Sequence, residues 1–392
     1  MARGGMALEL LRIDINALGE YVGRLSALYY RLGLWKDWIQ ALDHLRENIQ
    51  HPFWYRKITY YRAVYHLSPE GNRTEARREL AKLEPITNSE EDLDILHLFV
   101  DLEFDRLSFA DRIAILDRIL ELGEERRNQL QYRCGKAIQY FLIGDRETAE
   151  QQLLEVVRMV QKSDENDPLD GHERHFLGSA LQLLGSLKRD SKLLKDAITQ
   201  FQALLAEDNL TEIGKAAILR EIGDSYRYAG DWELAERAYL DAIAINGPGL
   251  DTVHLAECLL HLRGAEHAAA QIDCIDYKTL ERREFDDFVL GYATIAISLG
   301  NNDRLLAAKE LLQNLSRSEP VFNEQRLRLL VRVTDALAGK SVAETDGAKE
   351  VVDGAAPSSK FLLLQPNFFG LGVNFNAIID YLARRKSKNT RS

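Results

Sequence analysis

Apolar residues between positions 216 and 248 recur every three or four places, the spacing typical of one buried face of an α-helix. The first run carries four such residues, Leu219, Ile222, Gly223 and Tyr226. The pair Gly230-Asp231 interrupts it, because glycine suits the left-handed end of a helix and aspartate can cap the next one. A second run carries Ala235, Tyr239 and Ala242 and ends before Gly247-Pro248. This segment is therefore predicted to form a helical hairpin.

Weaker copies of the hairpin pattern lie on both sides of this unit. In the preceding segment, Gly185 precedes Ala197 by the interval that separates Gly223 from Ala235. Degenerate copies extend the pattern over residues 19–336, with irregular spacing between them. Because each hairpin carries apolar residues on two faces, it buries both only by stacking on its neighbours. The pattern predicts an all-α chain of about seven to nine stacked hairpins.

The clear unit resembles the tetratricopeptide repeat, whose pattern is L-G-x-x-Y, then A-x-x-x-F, then a further Ala and a terminal Pro. Leu219 stands where that family has Trp and keeps its apolar role. The resemblance implies that residues 1–338 form an α-solenoid, a right-handed superhelix of helical hairpins with a concave inner face. It also implies that the first helix of each hairpin lines this face, where such proteins bind a peptide or a partner helix.

Composition and charge exclude several other classes of protein. Apolar residues make up 46% of the chain and support a large core, while only 8 prolines disfavour many turn-separated strands. The 3 cysteines are too few and irregularly spaced for a disulfide scaffold. No stretch approaches the roughly 18 consecutive apolar residues of a membrane span, and Glu9 and Arg12 interrupt any signal-peptide core. We therefore expect a cytoplasmic protein without a membrane span.

The net charge of −11 disfavours binding of nucleic acid, and no catalytic pattern stands out. His172 and His175 are three residues apart, whereas the zinc-binding helix of metalloproteases needs a spacing of four. No nucleophile elbow, phosphate loop or dinucleotide loop occurs in the sequence. We therefore expect no enzymatic activity, no metal and no cofactor, and the oligomeric state stays open.

Candidate partner-binding residues are the first-helix residues that the hairpin cores do not use. They are Arg220, Asp224, Arg227, Tyr228, Gln182, Ser186, Arg189, Tyr61 and Tyr65. Two guanidinium groups beside a tyrosine suit bidentate binding of a carboxylate. Alternatively, Arg220 and Asp224 pair with each other, since they are four residues apart on one helix. The positions where some family members clamp a chaperone's carboxylate tail with Lys and Asn hold other residue types here, so that activity is not carried over.

The repeat pattern stops near residue 339. Residues 339–359 are small and polar and are predicted to be a flexible linker. Residues 360–392 form an apolar segment with a short predicted helix over 375–385 and a basic tail. The candidate docking residues in it are Phe361, Leu363, Pro366, Asn367, Phe368, Phe369 and Phe375. Three roles stay open for this segment: capping the last repeat, docking a second protein, or occupying the chain's own groove as a displaceable inhibitor.

The function that these features favour is a non-enzymatic scaffold, adaptor or regulator that captures a partner protein's peptide or helix in its concave groove. The C-terminal segment would then be a docking or gating element. Two alternatives stay open: a peptide-sensing tetratricopeptide signal receptor, and the non-catalytic sensor or adaptor subunit of a bacterial defence or toxin complex. A receptor needs a compact cluster of Asn, Arg and aromatic side chains across consecutive first helices, whereas an adaptor can spread its contacts.

Overall fold

The computed structural model describes residues 34–48, 52–66, 72–83, 93–103, 107–123, 126–162, 169–207, 210–278, 280, 282–315 and 320–339. These residues contain sixteen α-helices and no strand. In chain order the helices are α1 (Trp35–Asn48), α2 (Pro52–Tyr65), α3 (Arg73–Ala81), α4 (Leu93–Glu103), α5 (Phe109–Leu122), α6 (Arg126–Leu142), α7 (Arg146–Gln161), α8 (Gly171–Lys188), α9 (Ser191–Leu205), α10 (Glu212–Ala229), α11 (Trp232–Asn246), α12 (Leu250–Arg263), α13 (Ala265–Ile272), α14 (Arg282–Leu299), α15 (Asn302–Asn314) and α16 (Pro320–Leu337).

These helices divide into two compact units, an N-terminal unit of α1–α5 and a C-terminal unit of α6–α16. In the N-terminal unit, each helix from α1 to α4 packs against the helix that follows it in the chain. One cluster of buried apolar residues in the described part of this unit contains Tyr60, Ala63, Val64, Ala76, Leu80, Leu83, Ile95 and Leu98.

A buried carboxylate ties three helices of the N-terminal unit together. Glu79 on α3 accepts hydrogen bonds from Arg46 on α1, from Arg62 on α2 and from Lys82 just beyond α3. Burial alone would raise the pKa of Glu79, but the hydrogen bonds from Lys82 and Arg62 outweigh it and lower the pKa. The carboxylate therefore stays charged and holds the three basic side chains in place.

The C-terminal unit is a run of hairpins that follows the predicted order. The first helices are α6, α8, α10, α12 and α14, and each packs against the helix that follows it. First helices also pack side by side, α6 with α8, α8 with α10, α12 with α14 and α14 with α16. The last described helix, α16, has the position of a first helix and also contacts α6. This stacking confirms the all-α architecture of repeated hairpins.

The turn between α10 and α11 confirms the predicted role of Gly230 and qualifies that of Asp231. Gly230 has a φ of 83° in the left-handed region, which ends α10. Asp231 is the N-cap residue of α11, but its side chain accepts no capping hydrogen bond. At the preceding hairpin, Asp190 does cap α9, because its carboxylate accepts from the backbone N–H of Lys192.

Two glycines let a first helix lie directly against an aromatic ring of its second helix. A Cβ atom on Gly223 would lie 2.7 Å from the ring of Tyr239, and one on Gly178 would lie 2.7 Å from the ring of Phe201. The Gly223 contact confirms the close approach predicted for the clear hairpin. The spacing that aligns Gly185 with Gly223 is misleading, because α8 ends earlier after its glycine and Gly185 faces a leucine near the turn. Gly178 is the structural equivalent.

Candidate partner-binding site

Helix α10 positions the largest group of candidate residues. Its N-terminus is capped by Thr211, whose side chain accepts from the backbone N–H of Gly214, and Gly230 ends it. Between these caps, four candidate residues lie on one side of the helix, Arg220, Asp224, Arg227 and Tyr228. The next first helix, α12, and the second helix α11 supply partners for Arg220, Asp224 and Arg227.

Arg227 is the centre of a hydrogen-bond network that joins three helices. Its side chain is 0% exposed. Its Nε donates to Tyr239 Oη on α11 at 3.0 Å, its Nη1 to Glu257 Oε2 on α12 at 2.9 Å, and its Nη2 to Asp224 Oδ1 at 2.8 Å. Its guanidinium also lies 4.8 Å from the centre of the Tyr228 ring. Every candidate residue at the end of α10 is thereby engaged within the chain.

Arg227 keeps its positive charge although its side chain is buried. Burial alone would lower the pKa of Arg227, but the oxygens of Tyr239, Glu257, Tyr228 and Asp224 raise it well above its ordinary value. Tyr239 in turn donates to Asp224 Oδ1 at 2.6 Å, so this carboxylate is shared by two donors. Loss of either charged partner would leave a buried charge uncompensated, which is strongly unfavourable.

Arg220 pairs with the next first helix and not with Asp224 on its own helix. Its guanidinium forms a bidentate contact with Asp251 on α12, in which Nε donates to Oδ1 and Nη2 donates to Oδ2 at 3.0 Å. The Arg220 side chain is 14% exposed and that of Asp251 is 3% exposed. Arg220 is therefore the α10 guanidinium that solvent reaches.

His254 on α12 completes the contact with α10. Its Nδ1 lies 3.3 Å from Asp224 Oδ1, and its ring meets the ring of Tyr239 edge-on. Neither ring nitrogen has a hydrogen-bond partner within the described part of the chain. Burial, followed by the charge of Arg227, lowers the pKa of His254 well below its ordinary value, so the ring is neutral.

Gln182 on α8 joins the same surface from the other side. Its Nε2 donates to the backbone oxygen of Glu221 at 2.8 Å and to Ser225 Oγ at 3.0 Å. The Oε2 atom of Glu221 and the Oγ atom of Ser179 are buried and have no hydrogen-bond partner in the residues that the structure describes. Burial, followed by the charge of Asp224, raises the pKa of Glu221 to about 8. Burial therefore favours the protonated, neutral form of Glu221.

The other candidate residues make none of the hydrogen bonds described for this network. Ser186 lies buried near the end of α8, and Arg189 is the exposed C-cap residue of that helix with a φ of 56°. Tyr61 and Tyr65 belong to α2 of the N-terminal unit, where Tyr61 is half-buried and Tyr65 is buried beside the ring of His66. The candidate docking residues of the C-terminal segment, Phe361, Leu363, Pro366, Asn367, Phe368, Phe369 and Phe375, lie outside the described residues.

Sequence reasoning missed the partners that the next hairpin contributes. Asp251 follows Arg220 by 31 residues, and Glu257 follows Arg227 by 30 residues. These separations are close to one repeat length, so opposite charges at that spacing on successive first helices are the signal that could have found the pairs. Glu221 and His254 gave no such signal, because a single acid or histidine on a helix usually lies at the surface.

The described residues were also compared with the requirements of a membrane-spanning helix and of a metal site. None of the described helices is long and apolar enough to cross a membrane. No group of three or more His, Cys, Asp or Glu side chains in the described ranges is arranged to hold a metal ion.

Comparison with known proteins identifies the fold. No protein-family model and no curated protein sequence matches the chain. Among solved structures, a Rap protein complexed with competence and sporulation factor is similar over 93% of this chain and 98% of its own, with 14% identity and a TM-score of 0.52. The human IFIT1 dimer with m7Gppp-AAAA is similar over 94% of this chain and 85% of its own, with 13% identity and a TM-score of 0.51. The chain therefore has the all-α solenoid fold of tetratricopeptide-type helical-repeat proteins.

Proposed function

We propose that the chain is a non-enzymatic, cytoplasmic scaffold that binds a partner peptide or helix along the first helices α8, α10 and α12. The observation that supports it is that polar side chains from three successive first helices meet where these helices pack, with Gln182, Arg220 and Asp251 as examples, and that solvent reaches Arg220. An extended ligand that crosses consecutive first helices meets a new set of side chains at each hairpin. Repetition of the hairpin thereby gives a binding site that is longer than any one helix.

The unpartnered polar atoms of this surface indicate what a ligand would supply. Ser179 Oγ, Glu221 Oε2 and the ring nitrogens of His254 are buried without a hydrogen bond among the described residues. Such groups carry a free-energy cost, which a hydrogen-bonding ligand would remove if the first helices part enough to expose them. A peptide offers N–H donors and carbonyl acceptors at regular intervals along its main chain. Arg220 is the accessible charge at the edge of this surface and is proposed to bind an acidic side chain or a terminal carboxylate.

A signal receptor for a short peptide is the second candidate. The observation that favours it is the compactness of the cluster, since Arg220, Arg227 and Tyr228 lie within three turns of α10 and each of the two arginines pairs with a different acid on α12. The Rap protein of similar fold is complexed with competence and sporulation factor, which is a further argument for testing small ligands. In either role, residues 360–392 are proposed to act as a docking or gating element.

Selection from a random peptide library displayed on phage tests the proposal with the full chain. We expect selected peptides to bind the variant Arg220→Ala/Asp251→Ala at least about tenfold more weakly, because the charged contact proposed for Arg220 is lost. Removing both partners together avoids leaving a buried aspartate unpaired. The control is Arg237→Ala, since Arg237 is exposed on the second helix α11. If no peptide is selected, or if peptides bind both variants equally, the proposed site is wrong.

A further inference from the structure

Buried polar side chains in the C-terminal unit come almost entirely from its first helices. At least one is buried on each of α6, α8, α10, α12, α14 and α16, for example Gln139 on α6 and Gln325 on α16. Among the described residues of the second helices α7, α9, α11, α13 and α15, Tyr239 is the only buried residue with a polar group in its side chain. The polar interior of this unit is therefore the work of one kind of helix.

The burial of these side chains needs a cause, because the concave side of an open solenoid is accessible to solvent. The first helices are joined in order by side-by-side packing, and α10 is joined to α12 by the ion pair of Arg220 with Asp251. The last of them, α16, also contacts the first, α6. The six first helices thus form a closed ring, which shields their inner side chains from water.

The polar groups of the ring are not all paired. Ser179 Oγ on α8, Glu221 Oε2 on α10, both ring nitrogens of His254 on α12 and Gln325 Oε1 on α16 are buried without a hydrogen bond in the part of the chain that the structure describes. Each such group costs free energy, and most buried polar groups in folded proteins do have a partner. Four helices of one ring therefore carry groups that a polar ligand could pair.

The joint between α16 and α6, here called the seam, differs from the other joints of the ring. At every other joint one second helix packs against both neighbouring first helices: α7 against α6 and α8, α9 against α8 and α10, α11 against α10 and α12, α13 against α12 and α14, and α15 against α14 and α16. Among the described helices, none packs against both α16 and α6 in this way. Because fewer contacts hold it, the seam is where the ring opens at the lowest free energy.

We propose that the seam is the entrance of the partner-binding site, and that α16 moves away from α6 to admit the ligand. The inference rests on the function proposed above and adds the route by which a ligand reaches the buried groups. The closed ring is then the resting form, and only the open form binds. The apparent affinity for a ligand is reduced by the fraction of chains that are open.

The reactivity of a thiol inside the ring tests this entrance in the full chain. The reporter is Ser179→Cys, a conservative change at a position that is 0% exposed. Cys274 is exposed and is replaced by serine, whereas Cys134 and Cys258 are buried. The chain is treated with N-ethylmaleimide, and mass spectrometry gives the rate of labelling at position 179. Because this position is shielded in the closed ring, it reacts only while the ring is open.

Two leucine variants separate opening at the seam from opening elsewhere. Leu329→Ala truncates a side chain that is 6% exposed on α16, and it is expected to raise the labelling rate at position 179 at least about tenfold by weakening the packing of that helix. The matched control is Leu204→Ala, 5% exposed on α9, the second helix that packs directly against α8. It should raise the rate less than about threefold, although it lies on the helix behind the reporter.

A milder variant keeps the test decisive if Leu329→Ala does not fold. Val333→Ala removes less of a side chain that is 0% exposed on α16, and it should still raise the rate more than Leu204→Ala does. Equal acceleration by the α16 and α9 variants would overturn the proposal, because the ring would then open elsewhere. Labelling of the reporter as fast as Cys274 in the parent chain would also overturn it, since the ring would not be closed. No labelling in any variant would show that the seam does not open.

The peptide-selection experiment described above gives an independent result. If peptides are selected but the α16 and α9 variants are labelled equally fast, only the entrance is wrong and the proposed function stands. If the labelling rates are as expected but no peptide is selected, the opening of the seam holds and the proposed partner-binding function fails.

Discussion

Replacing Glu221 with glutamine is expected to stabilise the folded chain, and to do so more strongly at high pH than at low pH. Glu221 is 6% exposed on α10, and its Oε2 has no hydrogen bond within the described residues. Burial raises its pKa to about 8, with Asp224 as the next contributor, from an ordinary value of 4.5. The folded chain therefore keeps this proton over a pH range in which the unfolded chain has lost it.

The sign and size of the effect follow from this difference. Because the folded-state pKa is the higher one, the favourable contribution of the protonated group is complete below pH 4.5 and is lost as the pH rises to about 8. The gap between the two pKa values corresponds to about 5 kcal/mol, which is the upper limit of the loss. Glutamine has a similar shape and does not titrate, so the variant avoids this loss.

Urea unfolding followed by circular dichroism measures the effect near pH 5 and near pH 9. At each pH, the free energy of unfolding of the unmodified chain is subtracted from that of Glu221→Gln. This difference should be larger at pH 9 than at pH 5 by about 2–5 kcal/mol. The control is Glu212→Gln, an exposed acid in the first turn of the same helix, and it should show no comparable rise. If the advantage of Glu221→Gln is equal at both pH values, the raised pKa of the buried Glu221 carboxyl is refuted.

Three further substitutions are expected to destabilise the C-terminal unit, measured by the same unfolding assay at neutral pH. Gly223→Ala should cost about 1–3 kcal/mol, because the added Cβ lies 2.7 Å from the ring of Tyr239. Arg227→Ala should cost about 3–5 kcal/mol, because Asp224 remains buried and loses its charged partner. Asp170→Ala should cost about 1 kcal/mol, because the capping box at the start of α8 is lost.

Each of these substitutions has a matched control of the same residue type. Gly249→Ala adds a Cβ that meets no atom within 4 Å, Arg237→Ala removes an exposed guanidinium, and Asp231→Ala removes an N-cap residue without a capping hydrogen bond. Each control should lower the free energy of unfolding by at least about 0.5 kcal/mol less than the substitution that it matches. Equal losses within any pair would show that the contact seen in the structure is not the cause.

Features that depend on residues close in sequence could be predicted. The Gly230 turn and the contact of Gly223 with Tyr239 both arise within one hairpin, where the spacing of small and aromatic residues is informative. Gly178 was not identified, because α8 ends nearer to Gly185 than the repeat pattern assumes. A shift of one or two helical turns changes which residues meet without changing the order of the elements.

Features that depend on two hairpins could not be predicted from local pattern. Arg227 looks like a surface residue on a first helix, but Glu257 and the helices around it leave it fully buried. The pairing of Arg220 with Asp251 likewise requires knowing how α10 and α12 are placed. Long-range pairs of this kind depend on the packing angle between repeats, which the periodicity of one helix does not encode.

Arg227 has a consequence for how the array opens. In a simple linear array, each hairpin opens with a free energy of its own plus that of its interfaces with adjacent hairpins. Because the guanidinium of Arg227 is bonded on α10, α11 and α12, opening either hairpin exposes an unpaired charge in the other. These two hairpins should therefore exchange their amide hydrogens as one cooperative block, more slowly than the hairpins on either side. Fraying that starts at the end of the array would stop at this block, so the candidate binding surface would be the last part of the unit to lose its structure.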